Sequence, residues 1–451
     1  MDPTAVATNP ILSLIGFILL VILLLFLIAK WKWHVFLALL IPIMIFGIIP
    51  GVQLNNFVSA FETGFGKTLG KIGVVIVLGS IIAEALKHTG AINIITNSII
   101  KFVGKNRMPL ALTVTGFILG IAIFSDVAYV ILNPLVHASA LATGTGIAVM
   151  STGLVGALQL THAIVPPTPG PLAATALLGA DLGKTIFYGS VACFFGSIAS
   201  WIWGQYIVGP RIPTLPSSEF SGEEIIVEKS KGSSIKAFAP IIVPVILIVG
   251  QSISKIILPE DNLIRIILEY LGWPVVALSI GVILAYLNIK NKDHKKDSTN
   301  KWIESALRVS AMILVVTGLG GSLSEILKGT PVVNYVVAFF QGFQVPSLLL
   351  PFIIGIIGNM ITGSTTVGVI TAASITAPML SQLGLSPEAA MLSGASGSVM
   401  IKYVNSSYFW ICTSLSKLPV NDAIKAYGGA TFVGGLFSFA TVWVLWHFGL
   451  I

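Results

Sequence analysis

Apolar runs long enough to cross a bilayer, about 17 to 25 residues each, recur along the chain from Ile11 to the C-terminus. Short Lys-rich or Pro/Gly-rich connections separate them. Hydrocarbon cannot satisfy backbone N–H and C=O groups, so membrane spans are helices or closed barrels. These runs are too long and too continuous for barrel strands. The pattern predicts an all-α polytopic membrane protein of roughly ten to fourteen spans. The first run, Ile11 to Ala29, has no Lys or Arg before it and no small-residue cleavage site after it, and reads as a retained span.

Two segments interrupt the hydrophobicity. Gly209 to Lys236 carries Glu219, Glu223, Glu224, Glu228, Lys229 and Lys231, and Lys290 to Lys301 carries five lysines. The first is the natural midpoint, dividing the chain into a first half (1–208), a cytoplasmic linker (209–236) and a second half (237–451). Shifting one half onto the other by about 240 residues gives a register that holds at separate places, the mark of an internal repeat. Gly79 to Lys87 resembles Gly320 to Lys328, with Glu84 opposite Glu325. Ser125-Asp126-Val127 falls opposite Thr365-Thr366-Val367, Gly153-x-x-Gly156 opposite Gly394-x-x-Gly397, and Tyr188-Gly189 opposite Tyr427-Gly428.

Orientation follows from the distribution of Lys and Arg. Lys30 and Lys32, then Lys101, Lys105 and Arg107, then the Lys290 to Lys301 loop should face the cytoplasm, whereas Pro259 to Glu269, with Glu260, Asp261 and Glu269 against Arg265, should lie outside. The loop after the first run and the Pro259 to Glu269 segment correspond by repeat but face opposite sides. The expected architecture is therefore two inverted-topology repeats.

In transporters of that design, solute sites lie near the midplane, where helices are interrupted. The first half offers breaks at Ala122 to Pro134 and at Thr161 to Pro171, the latter with four prolines in six residues, which no continuous helix accommodates. The second half offers Gly358 to Thr366 and Lys402 to Tyr408, where the repeat places them. Hydroxyls and amides dominate: Ser125, Thr161, Thr168, Asn359, Thr362, Ser364, Thr365, Thr366, Asn405, Ser406 and Ser407, with Pro167, Gly170, Gly363 and Tyr403 among them. Such a lining suits a small polyhydroxylated or carboxylated solute, since hydroxyls donate or accept as needed and half-helix N-termini attract a carboxylate. Small residues that merely pack helices closely are the alternative.

Composition sharpens this picture. With 55% hydrophobic and 10% charged residues, the chain cannot build a water-soluble surface. The formal charge of +7 reports loop placement, not a nucleic-acid partner. Cys193 and Cys412 both fall inside apolar runs, so neither a disulfide framework nor a cysteine metal site is expected, and no cofactor is implied. Ionisable groups at membrane depth are expensive and point to function. Asp126 and His162 are the candidates to carry a coupling proton, imidazole titrating near physiological pH. Asp126 could instead cap the following helix, and His162 could simply pack. Glu84 and Glu325 each have a Lys three residues on, so helical ion pairs near the membrane surface account for them. Lys402 either meets a substrate carboxylate or neutralises a neighbouring acid.

At these residues the sequence resembles the gluconate permease family of bacterial inner-membrane proton symporters. The matching stretches are Gly64 to Leu69, Ser125 to Val130 with Pro134, Thr161 to Ala174, Ala180 to Gly183, Gly363 to Val367, and Val404 to Trp410. The resemblance implies proton-coupled uptake of gluconate or a related organic acid, an ion-transporter fold with scaffold and transport regions, a homodimer and an elevator-type movement. The chain departs from the family's pattern at Thr168, at Tyr403-Val-Asn-Ser406 and at Asn359, and gains Lys402, where a lysine does not reproduce a bidentate arginine. Another hydroxy acid, a short carboxylate or a small amino acid stays open as solute. Sodium coupling through Gly363 to Thr366 and Val404 to Ser407 is the alternative to protons. A channel would want a continuous pore with rings of charge. An enzyme is not expected: the sequence holds no His-Glu-x-x-His run, nucleophile elbow or P-loop.

Overall fold

A computed structural model describes residues 6, 9–31, 33–49, 52–104, 107–212, 233–289, 298–332, 334–335, 338, 342, 345–403 and 406–451. Lys32, Lys105, most of the linker and of the Lys290 to Lys301 loop, and Asn405 lie outside the described residues. Among the described residues the regular structure is helical apart from an isolated bridge at Val52.

The first half contains α1 (Pro10–Ala29), α2 (Val35–Gly47), α3 (Leu54–His88), α4 (Ala91–Val103), α5 (Met108–Gly120), α6 (Ser125–Thr143), α7 (Ile147–Ile164), α8 (Pro169–Leu178) and α9 (Leu182–Ile202). The second contains α10 (Ser234–Ile257), α11 (Leu263–Leu271), α12 (Pro274–Tyr286), α13 (Ile303–Lys328), α14 (Leu349–Thr362), α15 (Thr365–Thr376), α16 (Pro387–Met400), α17 (Ser407–Leu415) and α18 (Gly429–His447). The order α5 to α9 recurs as α14 to α18, and α2 and α3 recur as α12 and α13.

Local chemistry sets the helix ends. Asn9 accepts from the Leu12 amide at 3.1 Å ahead of Pro10, which sits where its missing N–H costs nothing. Asp181 accepts from the Lys184 amide at 2.8 Å and starts α9. The breaks are narrower than the sequence suggests. The first is confined to Ile121–Phe124, and Pro134 stands inside α6 rather than in the break. A single proline deletes one donor and kinks a helix without ending it when neighbouring helices support the chain. The others are Val165–Thr168, Gly363–Ser364 and Ile401–Ser406.

Six stretches among the described residues are long and apolar enough to cross a membrane, or eight if two bent pairs each count as one. Shorter apolar helices of 10–17 residues, Val35–Gly47, Ala91–Val103, Met108–Gly120 and Leu349–Met360 among them, stand beside these. Burial separates the spans. The most apolar window of Ile147–Leu178 is 94% buried inside the protein, against 39% for Ser234–Ile257. The former is the centre of the molecule. The latter presents Ile246 and Ile256 outward, a surface stable only in lipid. In the centre, hydroxyls satisfy themselves on their own helix, as Ser151 does on Ile147 O at 2.8 Å and Ser396 on Leu392 O at 2.7 Å, freeing small side chains for close packing. Helices α3 and α13 pack along each other, so closely that a Cβ at Gly64 would lie 2.8 Å from the Ser322 Cα.

Candidate functional site

The four breaks meet at the buried centre, and named side chains stitch them together. Gln159, on α7, accepts from the Ser125 hydroxyl at 3.3 Å and donates to the Thr365 hydroxyl at 3.2 Å. One amide thus joins the first turns of α6 and α15, which the repeat places opposite each other. Gly170, in the first turn of α8, lies against Thr366: a Cβ there would stand 3.1 Å from the Thr366 Cα. Asn359, near the end of α14, donates to Ile401 O at 2.6 Å, fastening the two second-half breaks to each other.

The break between α14 and α15 is a left-handed glycine, Gly363 with φ of 70°, followed by Ser364, whose hydroxyl accepts from the Val367 amide at 3.3 Å. Lys402 is buried, and its ammonium donates to Gly363 O at 2.7 Å and to the Ser406 hydroxyl at 3.2 Å. A cation at the carbonyl end of α14 is favoured by the helix dipole as well as by the hydrogen bond. The lysine therefore holds two helix ends together, a role that the sequence reading did not assign to it. Asp126 stands in the first turn of α6, where its carboxylate accepts from the Val127 amide at 2.9 Å. The N-cap position itself is Phe124, so Asp126 does not fill the capping role considered for it.

Around these groups lies a cavity of about 640 Å³. Ser125, Asp126 and His162 line it from the first half, and Thr362, Gly363, Ser364, Thr365, Thr366, Lys402 and Ser406 from the second. Residues from both halves of the chain thus contribute. Phe124, Gln159, Arg308 and Tyr408 also line it and were not singled out from sequence. Gln159 had a signal, an amide inside an apolar helix on the same face as His162 three residues on. Arg308 stands at the exposed side and pairs with Glu304 at 2.9 Å.

The other expected site residues fall elsewhere. Pro167 and Thr168 line a smaller chamber behind the α7–α8 turn, which His162 borders as well. The Thr168 hydroxyl lies 2.8 Å from His162 O and 2.9 Å from Val165 O, covering carbonyls that the end of α7 leaves without amide partners. Asn359 and Tyr403 are not part of the cavity wall, and the Tyr403 carbonyl accepts from the Ser406 amide at 3.0 Å within its own turn. Glu84 and Glu325 form the expected helical pairs, with Lys87 at 3.8 Å and Lys328 at 3.1 Å.

An all-helical membrane chain whose interrupted helices enclose a hydroxyl-lined cavity defines a polytopic permease. The GntP family permease profile matches residues 12–448, and the chain belongs to that family. It is 29% identical over 409 residues to the high-affinity gluconate transporter of Escherichia coli K12, covering 90% of this chain and 93% of that one. It is 30% identical over 431 residues to the D-serine transporter DsdX of the same strain, covering 94% and 96%. Among solved structures, the YdaH transporter of Alcanivorax borkumensis, described as having an unusual topology, superposes with a TM-score of 0.62 at 15% identity over 88% of this chain and 90% of that one. The likeness is one of fold.

Proposed function

We propose that the chain is a secondary active transporter of a bacterial inner membrane, taking up a small hydroxylated carboxylate together with protons. The observation that carries this reading is the central cavity, in which hydroxyls, half-helix N-termini and the Lys402 ammonium surround one carboxylate, Asp126, and one imidazole, His162. The amide ends of α15 and α17 and the ammonium suit a solute carboxylate, and Ser364, Thr365, Thr366 and Ser406 suit its hydroxyls. Asp126 and His162 are the coupling groups. The two halves, 1–208 and 237–451, act as inverted repeats, and alternating access is an elevator movement of the buried hairpins against the α3 and α13 scaffold within a homodimer.

A second reading, uptake of a small hydroxylated amino acid, is favoured by Asp126, a carboxylate that can pair with a solute ammonium, and by the D-serine transporter among the relatives. The deciding experiment is uptake into proteoliposomes of labelled gluconate, short carboxylates and D-serine under an imposed proton gradient and then a sodium gradient. Accumulation that a protonophore collapses supports symport with protons, and the accumulated compound gives the solute class. Accumulation driven by sodium alone would move coupling to the hydroxyl clusters at Gly363–Thr366 and near Ser406. Absence of accumulation under both gradients would refute the proposal.

A further inference from the structure

We propose that His162 exchanges its proton with solvent by a route behind the α7–α8 turn, through two water-sized chambers bridged by Ser80 and ending at Glu84. The inference rests on the proton coupling proposed above and specifies its path.

The smaller chamber behind the turn has a volume of about 20 Å³ and is bordered by His162, Pro167 and Ser80. A second chamber of about 20 Å³ is bordered by Ser80, Glu84 and Lys87. The two share Ser80, Ala83 and Phe124. Each has room for one water, which also needs two to four polar partners. In the first chamber these are available. Among the described residues His162 Nδ1 is buried with no hydrogen-bond partner, His162 and Ser80 both border the chamber, and the Pro167 carbonyl faces residue 79, where a Cβ would lie 3.3 Å from it. A buried imidazole nitrogen left unmatched is costly, so a bridging water is the expected resolution.

Beyond Ser80 the route reaches a group suited to release. Glu84 accepts from the Ser305 hydroxyl at 3.1 Å and lies 3.2 Å from His88 Nε2, and its side chain is 15% exposed against 40% for His88. The Ser80 and Ser310 hydroxyls lie 3.0 Å apart, and the Ser310 proton is held on Ala306 O at 2.7 Å, so Ser80 donates in this pair at rest and rotates to carry a proton onward. Transfer is balanced at every station. The imidazolium gives a proton to the first water, that water gives one of its own to Ser80, and Ser80 passes its hydroxyl proton through the second water to the Glu84 carboxylate. Phe124 borders the central cavity and both chambers, and its ring lies against His162 with centroids 5.3 Å apart. It is the one side chain placed to open or close the route as the solute site changes.

The test uses the full chain in proteoliposomes holding a pH-sensitive dye, with gluconate and D-serine as probes. Solute-driven proton entry is compared with solute counterflow at equal pH, which requires no proton release. Ser80→Ala and Glu84→Gln should each slow proton entry at least about tenfold, the lower part of what a positioned proton-transfer group contributes. Counterflow should stay within about twofold of wild type, and Ser80→Thr should restore proton entry. Wild-type proton entry in both variants would overturn the route while leaving symport intact. An equal fall in counterflow and proton entry would show a packing role and overturn it too. A wild-type protein that moves either solute without protons would refute the coupling on which the route depends.

Discussion

The turn between α7 and α8 and the turn between α16 and α17 occupy corresponding places in the two halves and are held by unlike means. In the first half, Pro166, Pro167 and Pro169 fix the chain between α7 and α8, and the Thr168 hydroxyl covers two exposed carbonyls. In the second, no proline stands between Met400 and Ser407, and the buried Lys402 ammonium draws Gly363 and Ser406 together. A turn built from proline rings keeps its shape whatever enters the cavity. A turn built on a charge does not, because a solute anion offers the ammonium a stronger acceptor than a neutral carbonyl. The first-half turn is thus suited to hold His162, at the end of α7, in a fixed place, and the second to respond to the solute.

Lys402→Met should break the comparison most severely. It leaves Gly363 O and Ser406 without their buried donor, at a cost of about 1–3 kcal/mol, and removes the attraction for an anion. Uptake of the cognate carboxylate should fall by about a hundredfold or more, as loss of a buried charge-assisted contact implies, and Lys402→Arg should not restore it, since a planar fork cannot take the place of a point donor. Uptake close to wild type would mean that the charge is dispensable and the two turns equivalent.

Next in size is Asp126→Asn. Proton-driven accumulation should drop by about a further tenfold beyond the loss in Glu84→Gln, because only the former removes an ionisable group from the central cavity. Equal and mild losses in both would remove Asp126 from the coupling role. Thr168→Val tests the proline-built turn: thermal unfolding should reveal about 1 kcal/mol of lost stability with solute affinity little changed, because the prolines hold the turn without the hydroxyl. A large loss of affinity would show that this turn too responds to the solute. The smallest effect belongs to Glu325→Gln, at the partly exposed pair with Lys328. Stability should change by less than about 1 kcal/mol, and a measurable change in coupling would place that pair in the mechanism.

Much of this arrangement was legible in the sequence because it rests on backbone chemistry. Four prolines within Pro166 to Pro171 cannot continue a helix, and Gly363-Ser364-Thr365 reads as a helix stop followed by a cap. The repeat register showed Ser125 and Thr365 as partners before any geometry was known. Features that depend on a single side chain reaching between helices were not legible. Gln159 joins those two partners, yet position 400 in the other half is Met, so no repeat drew attention to it. Lys402 was recognised as a buried charge, but its partner Gly363 lies 39 residues away and a carbonyl leaves no mark in a sequence. Pro134 misled in the opposite direction, since a proline's local cost does not reveal whether neighbouring helices will support it.

The bare backbone at Gly170 brings two interrupted helices into direct contact. With no side chain between α8 and Thr366, the first turns of α8 and α15 rest on each other like the closed jaws of a clasp. In the elevator movement proposed above, the two would cross as one body over a single barrier, rather than as two gates opening in turn.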